Sequence, residues 1–121
     1  MCGVIGIYSQ KDVSKKLFYG LNSLQHRGQE ASGICVFNGK DMILDKGMGL
    51  VYDNFDDESF LKLKGNVGIG HVRYATAGGS YRYNSQPLLA FSKNREFALA
   101  HNGNLVNHQS IRDELEEEGM L

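Results

Sequence analysis

The chain of 121 residues carries 13 basic and 14 acidic residues, a formal net charge of −1. This balance excludes the strong positive field expected of a nucleic-acid-binding surface, and no apolar run is long enough to span a bilayer. Glycine occurs 15 times, whereas proline occurs once and tryptophan is absent. Because disordered chains usually combine glycine with proline, this composition favours an ordered domain with tight turns and close backbone approaches.

The cysteine content indicates a reducing compartment. Cys2 and Cys35 are too few for a disulfide framework, and no CxxC pair offers a zinc or thiol redox site. The N-terminus lacks the basic and apolar regions of a secretory signal. The four histidines have no ligand spacing and no carboxylate cluster beside them. We therefore expect a cytoplasmic protein with no metal site in this segment.

The first third of the chain predicts a strand, a helix and a β-hairpin. The apolar run 2–8 is typical of a buried strand. A helix follows with Asp12 as its N-cap, because four apolar residues recur at helical spacing: Val13, Leu17, Leu21 and Leu24. Strand-like Ala31–Phe37 precedes Asn38–Gly39, a pair typical of a hairpin turn into a return strand that begins at Met42.

The middle of the chain predicts further short elements. Gly47 and Gly49 are taken to bracket another short strand, which is expected near Leu50–Val51. Asp56 opens a short helix that extends through Leu63, because acidic residues suit a helix N-terminus. The glycine-rich stretch 66–74 predicts a strand against which a ligand or another backbone lies closely.

The last third predicts a loop over 76–87, strands over 88–91 and 96–101, and a helix over 104–118. Together with the earlier hairpin, this order predicts an α+β fold with mostly antiparallel sheets. Three consecutive glutamates end the last helix, and the two residues after Gly119 resemble the start of another apolar element. We therefore expect the chain to be a fragment.

Cys2 is the residue best suited to nucleophilic chemistry. If Met1 is removed, the thiol and a free α-amine belong to the same residue. An α-amine ordinarily has a pKa of about 7.7–8.0 and serves as a base near neutral pH. The alternative is a cysteine at position 2 by chance, and the residues alone leave the two interpretations balanced.

Three polar segments offer further chemistry. In residues 101–104, the Asn102 amide and the Gly103 N–H can form an oxyanion hole, although a turn with a helix cap is the commoner use of such residues. Arg73, near Thr76, can hold a carboxylate through two hydrogen bonds, although a structural ion pair is commoner. For residues 26–30 we expect a capping and loop-anchoring role.

A cysteine–histidine dyad built on Cys35 is a rival arrangement. Its histidine would be one of the four in the chain: His26, His71, His101 or His108. Cys35 lies in an apolar run, however, where an inert core thiol is the better interpretation.

The chain resembles the N-terminal glutaminase domain of class II glutamine amidotransferases, which belong to the N-terminal-nucleophile (Ntn) hydrolases. The segments that carry the resemblance occur in the order MCGVIGI, LQHRGQEASGI, GHVRYATAGG, NSQPL and ALAHNGNLVN. The resemblance extends over essentially the whole chain. Tyr74 stands where other branches usually carry tryptophan, which favours the branch that transfers ammonia to phosphoribosyl pyrophosphate.

The resemblance implies a role for each candidate residue. Cys2 would attack the side-chain amide of glutamine, and its α-amine would pass the proton to the departing ammonia. The Asn102 side chain and the Gly103 N–H would stabilise the tetrahedral oxyanion. Arg73 would bind the α-carboxylate of glutamine, with Thr76 beside it. By the same resemblance, Arg27 would order the loop and terminus around Cys2.

The resemblance also implies the architecture. The family fold is a four-layer αββα sandwich, which we expect to be incomplete at the C-terminus of residues 1–121. The rest of the glutaminase domain and a phosphoribosyltransferase domain would be absent. We therefore expect this chain alone to be inactive or nearly so.

The implied partners are L-glutamine and, through the absent domain, phosphoribosyl pyrophosphate; neither nucleic acid nor membrane is expected. The product would be 5-phosphoribosylamine, in the first step of purine biosynthesis. Mg²⁺ with phosphoribosyl pyrophosphate, and in some members a 4Fe–4S cluster, would bind in the absent remainder, with no cofactor in this segment. We expect a homo-oligomer at full length. The alternatives are another class II glutaminase domain, such as that of glucosamine-6-phosphate synthase, and a non-catalytic glutamine-binding fragment.

Overall fold

The computed structural model describes residues 1–75 and 82–120. Thr76, predicted beside the carboxylate site, lies outside the described residues. The strands are β1 Gly3–Tyr8, β2 Ala31–Phe37, β3 Met42–Met48, β4 Val67–Arg73, β5 Leu88–Ser92 and β6 Arg95–Leu99. The helices are α1 Ser14–Ser23, α2 Val51–Asn54, α3 Asp57–Lys62 and α4 His108–Glu117. Short 3₁₀ turns occupy Gln25–Arg27 and Arg82–Asn84.

The strands form two antiparallel sheets. The larger sheet has the order β1-β4-β2-β3, so β4 lies between the N-terminal strand and the β2–β3 hairpin. Strands β5 and β6 form a separate hairpin around the turn at Lys93. The predicted α+β fold with mostly antiparallel sheets is confirmed.

The hydrophobic core lies between the larger sheet and the helices. Leu17 and Leu21 of α1 are fully buried against β4. A Cβ built on Gly68 would lie 2.8 Å from a methyl carbon of Leu17, and one on Gly70 would lie 3.0 Å from a methyl carbon of Leu21. The glycines of this strand therefore allow α1 to approach closely. Helix side chains and the neighbouring strand, rather than a ligand, account for the close approach on this face.

The opposite face of β4 carries polar side chains. Successive side chains of a strand alternate between its two faces, so His71 and Arg73 lie on the face away from α1. The His71 side chain is fully buried, and 11% of the Arg73 side chain is exposed. This face of β4 directs both side chains toward the segments that follow residue 81.

Two predictions in the first half of the chain are wrong. Asp12 does not cap α1; its Oδ1 accepts a hydrogen bond from the Gly65 N–H instead. Leu50–Val51 is not a strand, because Val51 begins the helix α2 and Gly47 lies inside β3. The Val51 N–H donates to Oε1 of Gln25 at 2.8 Å, a contact that holds the start of this short helix.

The last helix begins later than predicted. α4 starts at His108 rather than at residue 104, and residues 106–107 form a turn before it. Within the described residues, no helix is long and apolar enough to cross a membrane.

Candidate active site

Cys2 and Asn102 meet at the start of β1. The Cys2 backbone N–H donates to Oδ1 of Asn102 at 3.3 Å, across one hundred residues of sequence. The same nitrogen becomes the α-amine if Met1 is removed. The Cys2 Sγ lies 3.7 Å from the Tyr74 carbonyl oxygen, at the end of β4. Because Oδ1 faces the Cys2 nitrogen, the Asn102 NH₂ group is left to donate elsewhere.

Arg27 holds the chain beside Cys2. It lies in the 3₁₀ turn after α1, and its Nε donates to the Cys2 carbonyl oxygen at 2.9 Å. A Cβ on Gly28, the next residue, would lie 2.5 Å from the Arg73 carbonyl carbon. This turn therefore packs directly against the end of β4, which fixes the position of Arg27.

Arg73 lines an open cleft of about 290 Å³ that is also lined by Cys2, Gly103 and Asn104. One of its terminal nitrogens donates to the Asn84 carbonyl oxygen at 2.7 Å. Its Nε lies 3.9 Å from Oε2 of Glu30. The structure therefore places Arg73 both in an ion pair and in the wall of the cleft. A structural ion pair and a carboxylate-binding role, the two interpretations from sequence, are compatible with each other.

The turn that carries Asn102 and Gly103 is held through the backbone of His101. The His101 N–H donates to Oε1 of Gln86 at 2.7 Å. On the other side of the residue, Nε2 of His71 lies 3.2 Å from the His101 carbonyl oxygen. Gln86 received no role from sequence, and His71 was considered there only for a dyad with Cys35 and for a metal site, neither of which was favoured. The spacing of two residues between His71 and Arg73 could have placed both on one strand face.

Lys46 of β3 supports the same region and was also missed. Its Nζ donates to the carbonyl oxygens of Ser85 and Pro87, at 2.7 and 3.2 Å. Burial, followed by the nearby Arg82 charge, lowers the pKa of Lys46. These bonds tie the larger sheet to the segment that carries Gln86.

Cys35 has the surroundings of an inert thiol. It is buried on β2, and burial, together with the charge of Glu96, raises its pKa to about 11. A thiol with this pKa is almost entirely protonated at neutral pH and is a poor nucleophile. Cys2, by contrast, is partly exposed and borders the cleft.

Across residues 1–75 and 82–120, no group of three or more histidine, cysteine or acidic side chains is placed to hold a metal ion. The two cysteines of the chain could supply at most two of the four thiolates that bind a 4Fe–4S cluster. The residues present therefore do not fit such a cluster within this chain.

A family model described as a glutamine amidotransferase domain matches residues 52–121, more than half of the chain. The chain belongs to this family. The resemblance seen in the sequence segments is thereby confirmed.

Relatives in the family carry a more specific name. The chain is 52% identical to the amidophosphoribosyltransferase of Methanothermobacter thermautotrophicus, over 98% of this chain and 26% of the relative. It is 48% identical to the amidophosphoribosyltransferase of Bacillus subtilis, over 99% of this chain and 25% of the relative. The chain thus spans about a quarter of the length of these relatives.

Solved structures agree with the sequence comparison. The glutamine phosphoribosylpyrophosphate amidotransferase of Bacillus subtilis, complexed with ADP and GMP, matches with a TM-score of 0.86 and 44% identity. The match covers 100% of this chain and 26% of that chain. A second structure, described as the allosteric regulatory enzyme of purine biosynthesis, matches over the same shares with a TM-score of 0.89 and 46% identity. The fold of this chain is therefore that of the amidotransferase domain.

Proposed function

We propose that residues 1–121 form the N-terminal part of the glutaminase domain of an amidophosphoribosyltransferase. The observation that carries the proposal is the hydrogen bond between the Cys2 nitrogen and Asn102 at the edge of a cleft that contains Arg73. It joins a potential nucleophile, its own amine and an amide donor in one place. Glutamine is the substrate, and its side-chain amide is the bond that breaks.

Arg73 binds the α-carboxylate of glutamine in this proposal. A guanidinium group can donate two parallel hydrogen bonds to a carboxylate. The contacts with Asn84 and Glu30 fix the plane of the guanidinium before the substrate arrives. Thr76, expected beside the carboxylate, completes the proposed binding group.

The reaction begins once Met1 is absent and the Cys2 nitrogen is a free amine. The amine accepts the thiol proton while Sγ forms a bond to the amide carbon of glutamine, whose carbonyl oxygen becomes an oxyanion. The Asn102 NH₂ and the Gly103 N–H donate to that oxygen. The carbon–nitrogen bond then breaks, and the protonated amine returns its proton to the departing ammonia. Water cleaves the thioester, which releases glutamate and restores the thiol.

The acceptor proposal is supported by the names of the relatives. Ammonia would displace pyrophosphate from phosphoribosyl pyrophosphate and give 5-phosphoribosylamine, the first intermediate of purine biosynthesis. The acceptor, its Mg²⁺ and any 4Fe–4S cluster would bind in sequence outside residues 1–121. We further propose a cytoplasmic homo-oligomer for the intact protein, without a nucleic-acid or membrane partner.

We also propose that residues 1–121 alone have little or no glutaminase activity. A downstream acidic residue holds the α-amine of glutamine in the family that the sequence resembles, and no residue of this chain is assigned to that role. Exposed apolar side chains favour further packing partners for this part of the fold; they include Phe91 and Phe97 of the β5–β6 hairpin and Val106 in the turn before α4.

The test compares Cys2→Ser with Cys35→Ser in the intact protein that carries residues 1–121. Pyrophosphate release from phosphoribosyl pyrophosphate is measured with glutamine and, separately, with ammonium as the nitrogen donor. We expect Cys2→Ser to abolish glutamine-dependent release and to retain ammonium-dependent release, while Cys35→Ser retains both. Glutamine-dependent release that survives Cys2→Ser would contradict the proposed nucleophile. If the unmodified protein releases no pyrophosphate with glutamine and none with ammonium, the proposed acceptor is contradicted.

A further inference from the structure

His71 is a buried titratable side chain that the proposed reaction does not use. It lies at the centre of β4, between Gly70 and Val72, and none of its surface is exposed. Its only hydrogen bond to a described residue joins Nε2 to the His101 carbonyl oxygen at 3.2 Å. A fully buried polar side chain with a single contact indicates a specific use for that contact.

The partner of His71 fixes its chemical form. A carbonyl oxygen only accepts hydrogen bonds, so Nε2 carries the hydrogen and donates it. Burial, partly offset by the bond to the His101 carbonyl and aided by the Arg73 and His101 charges, lowers the pKa of His71 to about 4. The ring is therefore neutral at physiological pH and is a fixed N–H donor rather than an acid or a base.

The bond that His71 makes controls the placement of Asn102. The His101 carbonyl belongs to the peptide group that leads directly into Asn102. Gln86 holds the N–H of His101 at 2.7 Å, so the residue is restrained at both of its backbone polar groups. Asn102 in turn accepts from the Cys2 nitrogen at 3.3 Å. Residues 101–114 are exposed, so these bonds provide the nearby restraints on the turn.

We propose that His71 is a positioning residue that holds the Asn102–Gly103 turn in register with Cys2 through the His101 carbonyl. The inference rests on the proposed glutaminase function and deepens it. Because the two oxyanion donors act on the tetrahedral intermediate, a displaced turn lowers kcat for glutamine hydrolysis. Glutamine binding depends on Arg73, two residues further along the same strand, so KM stays nearly unchanged.

The test is a matched pair of variants, His71→Gln and His71→Asn, in the intact protein that carries residues 1–121. Glutamine carries an amide N–H near the position of the histidine Nε2, whereas the shorter asparagine cannot reach the His101 carbonyl. Glutamate release is measured with phosphoribosyl pyrophosphate present, and kcat and KM are determined separately. Thermal unfolding of each variant is recorded alongside.

Removal of a whole oxyanion donor costs about 10²–10³ in kcat, so a displaced turn in His71→Asn is expected to cost about tenfold, with KM nearly unchanged. We expect His71→Gln to recover most of that kcat. Equal losses in the two variants, or a loss confined to KM, would overturn the inference. An unchanged kcat in His71→Asn would overturn the inference as well. In each of these cases, glutamate release by the unmodified protein would still support the proposed function. If the unmodified protein releases no glutamate, the proposed function fails first and the inference fails with it.

Discussion

The Cys2 nitrogen lies 3.3 Å from Oδ1 of Asn102, although the two residues stand one hundred positions apart in the chain. Cys2 precedes β1, and Asn102 follows β6, in the other sheet. β1 pairs with β4 with Gly3 opposite Val72, so Cys2 lies at the same end of β4 as His71, whose side chain contacts the His101 carbonyl. The proposed glutaminase chemistry depends on this meeting.

Asn102→Asp tests the amide donor. An aspartate retains an acceptor for the Cys2 nitrogen but lacks the NH₂ group and adds negative charge beside the oxyanion. We expect kcat for glutamate release to fall by about 10²–10³. Asn94→Asp, in the turn between β5 and β6, is the matched control and should retain the original kcat. Steady-state glutamate release checks both variants, and an unchanged kcat in Asn102→Asp would remove Asn102 from the oxyanion role.

Arg73→Lys tests carboxylate binding. Lysine keeps the positive charge but cannot donate the paired hydrogen bonds of a guanidinium group. A hydrogen bond to a charged group contributes about 1.5–3 kcal/mol, so KM for glutamine should rise about tenfold or more. The control is Arg112→Lys, on the exposed surface of α4, where Arg112 pairs only with Glu116 among the described residues. A KM equal to that of the control would contradict the assignment.

Gly28→Ala tests the packing of the Arg27 turn against β4. The new Cβ would lie 2.5 Å from the Arg73 carbonyl carbon. A hydrogen-bonded strand can move away from it only at a cost in folding free energy. We expect a lower Tm and a higher KM for glutamine, because the displaced backbone belongs to Arg73. Gly6→Ala, whose nearest contact would be an ordinary 3.8 Å, should leave both unchanged. Thermal unfolding and glutamine titration of the two variants test this prediction. Equal Tm and KM values in the two variants would show that the turn tolerates a Cβ at residue 28.

The burial of His71 predicts a pH dependence of local stability. Its pKa falls from the ordinary value of 6.5 to about 4 in the folded chain, so between these values only the unfolded chain binds the proton. The stabilisation is complete above pH 6.5 and is lost as the pH falls towards 4. Amide hydrogen exchange of the β4 peptide, compared at each pH with His71→Gln, checks this. The unmodified protein should lose protection more steeply than the variant, and parallel losses would contradict the buried neutral ring.

Much of the fold could be predicted because local patterns and packing agree. The apolar runs at β1 and β2 and the Asn38–Gly39 turn predict the observed strands. The strand near Leu50–Val51 was predicted wrongly because the Gln25 side chain, distant in sequence, holds that segment as a helix. α4 starts at His108, later than predicted, and bonds from His71 and Gln86, both distant in sequence, hold the backbone of residue 101 shortly before it.

The candidate site also contains residues that could be predicted from sequence and residues that could not. Cys2, Asn102 and Arg73 could be proposed from sequence, because their residue types carry the chemistry and stand in recognisable segments. The supporting contacts could not be proposed, because each depends on which segments the sheet brings together. Lys46 illustrates this, since its bonds reach a loop about forty residues further along the chain.

The most direct test of the central claim is a peptide mass map of the intact protein after treatment with an electrophilic glutamine analogue. We expect Met1 to be absent and one adduct to be attached to the Cys2 sulfur. We expect no adduct on Cys35, whose pKa is raised to about 11 by burial. Retention of Met1 before Cys2, or labelling confined to Cys35, would contradict the account.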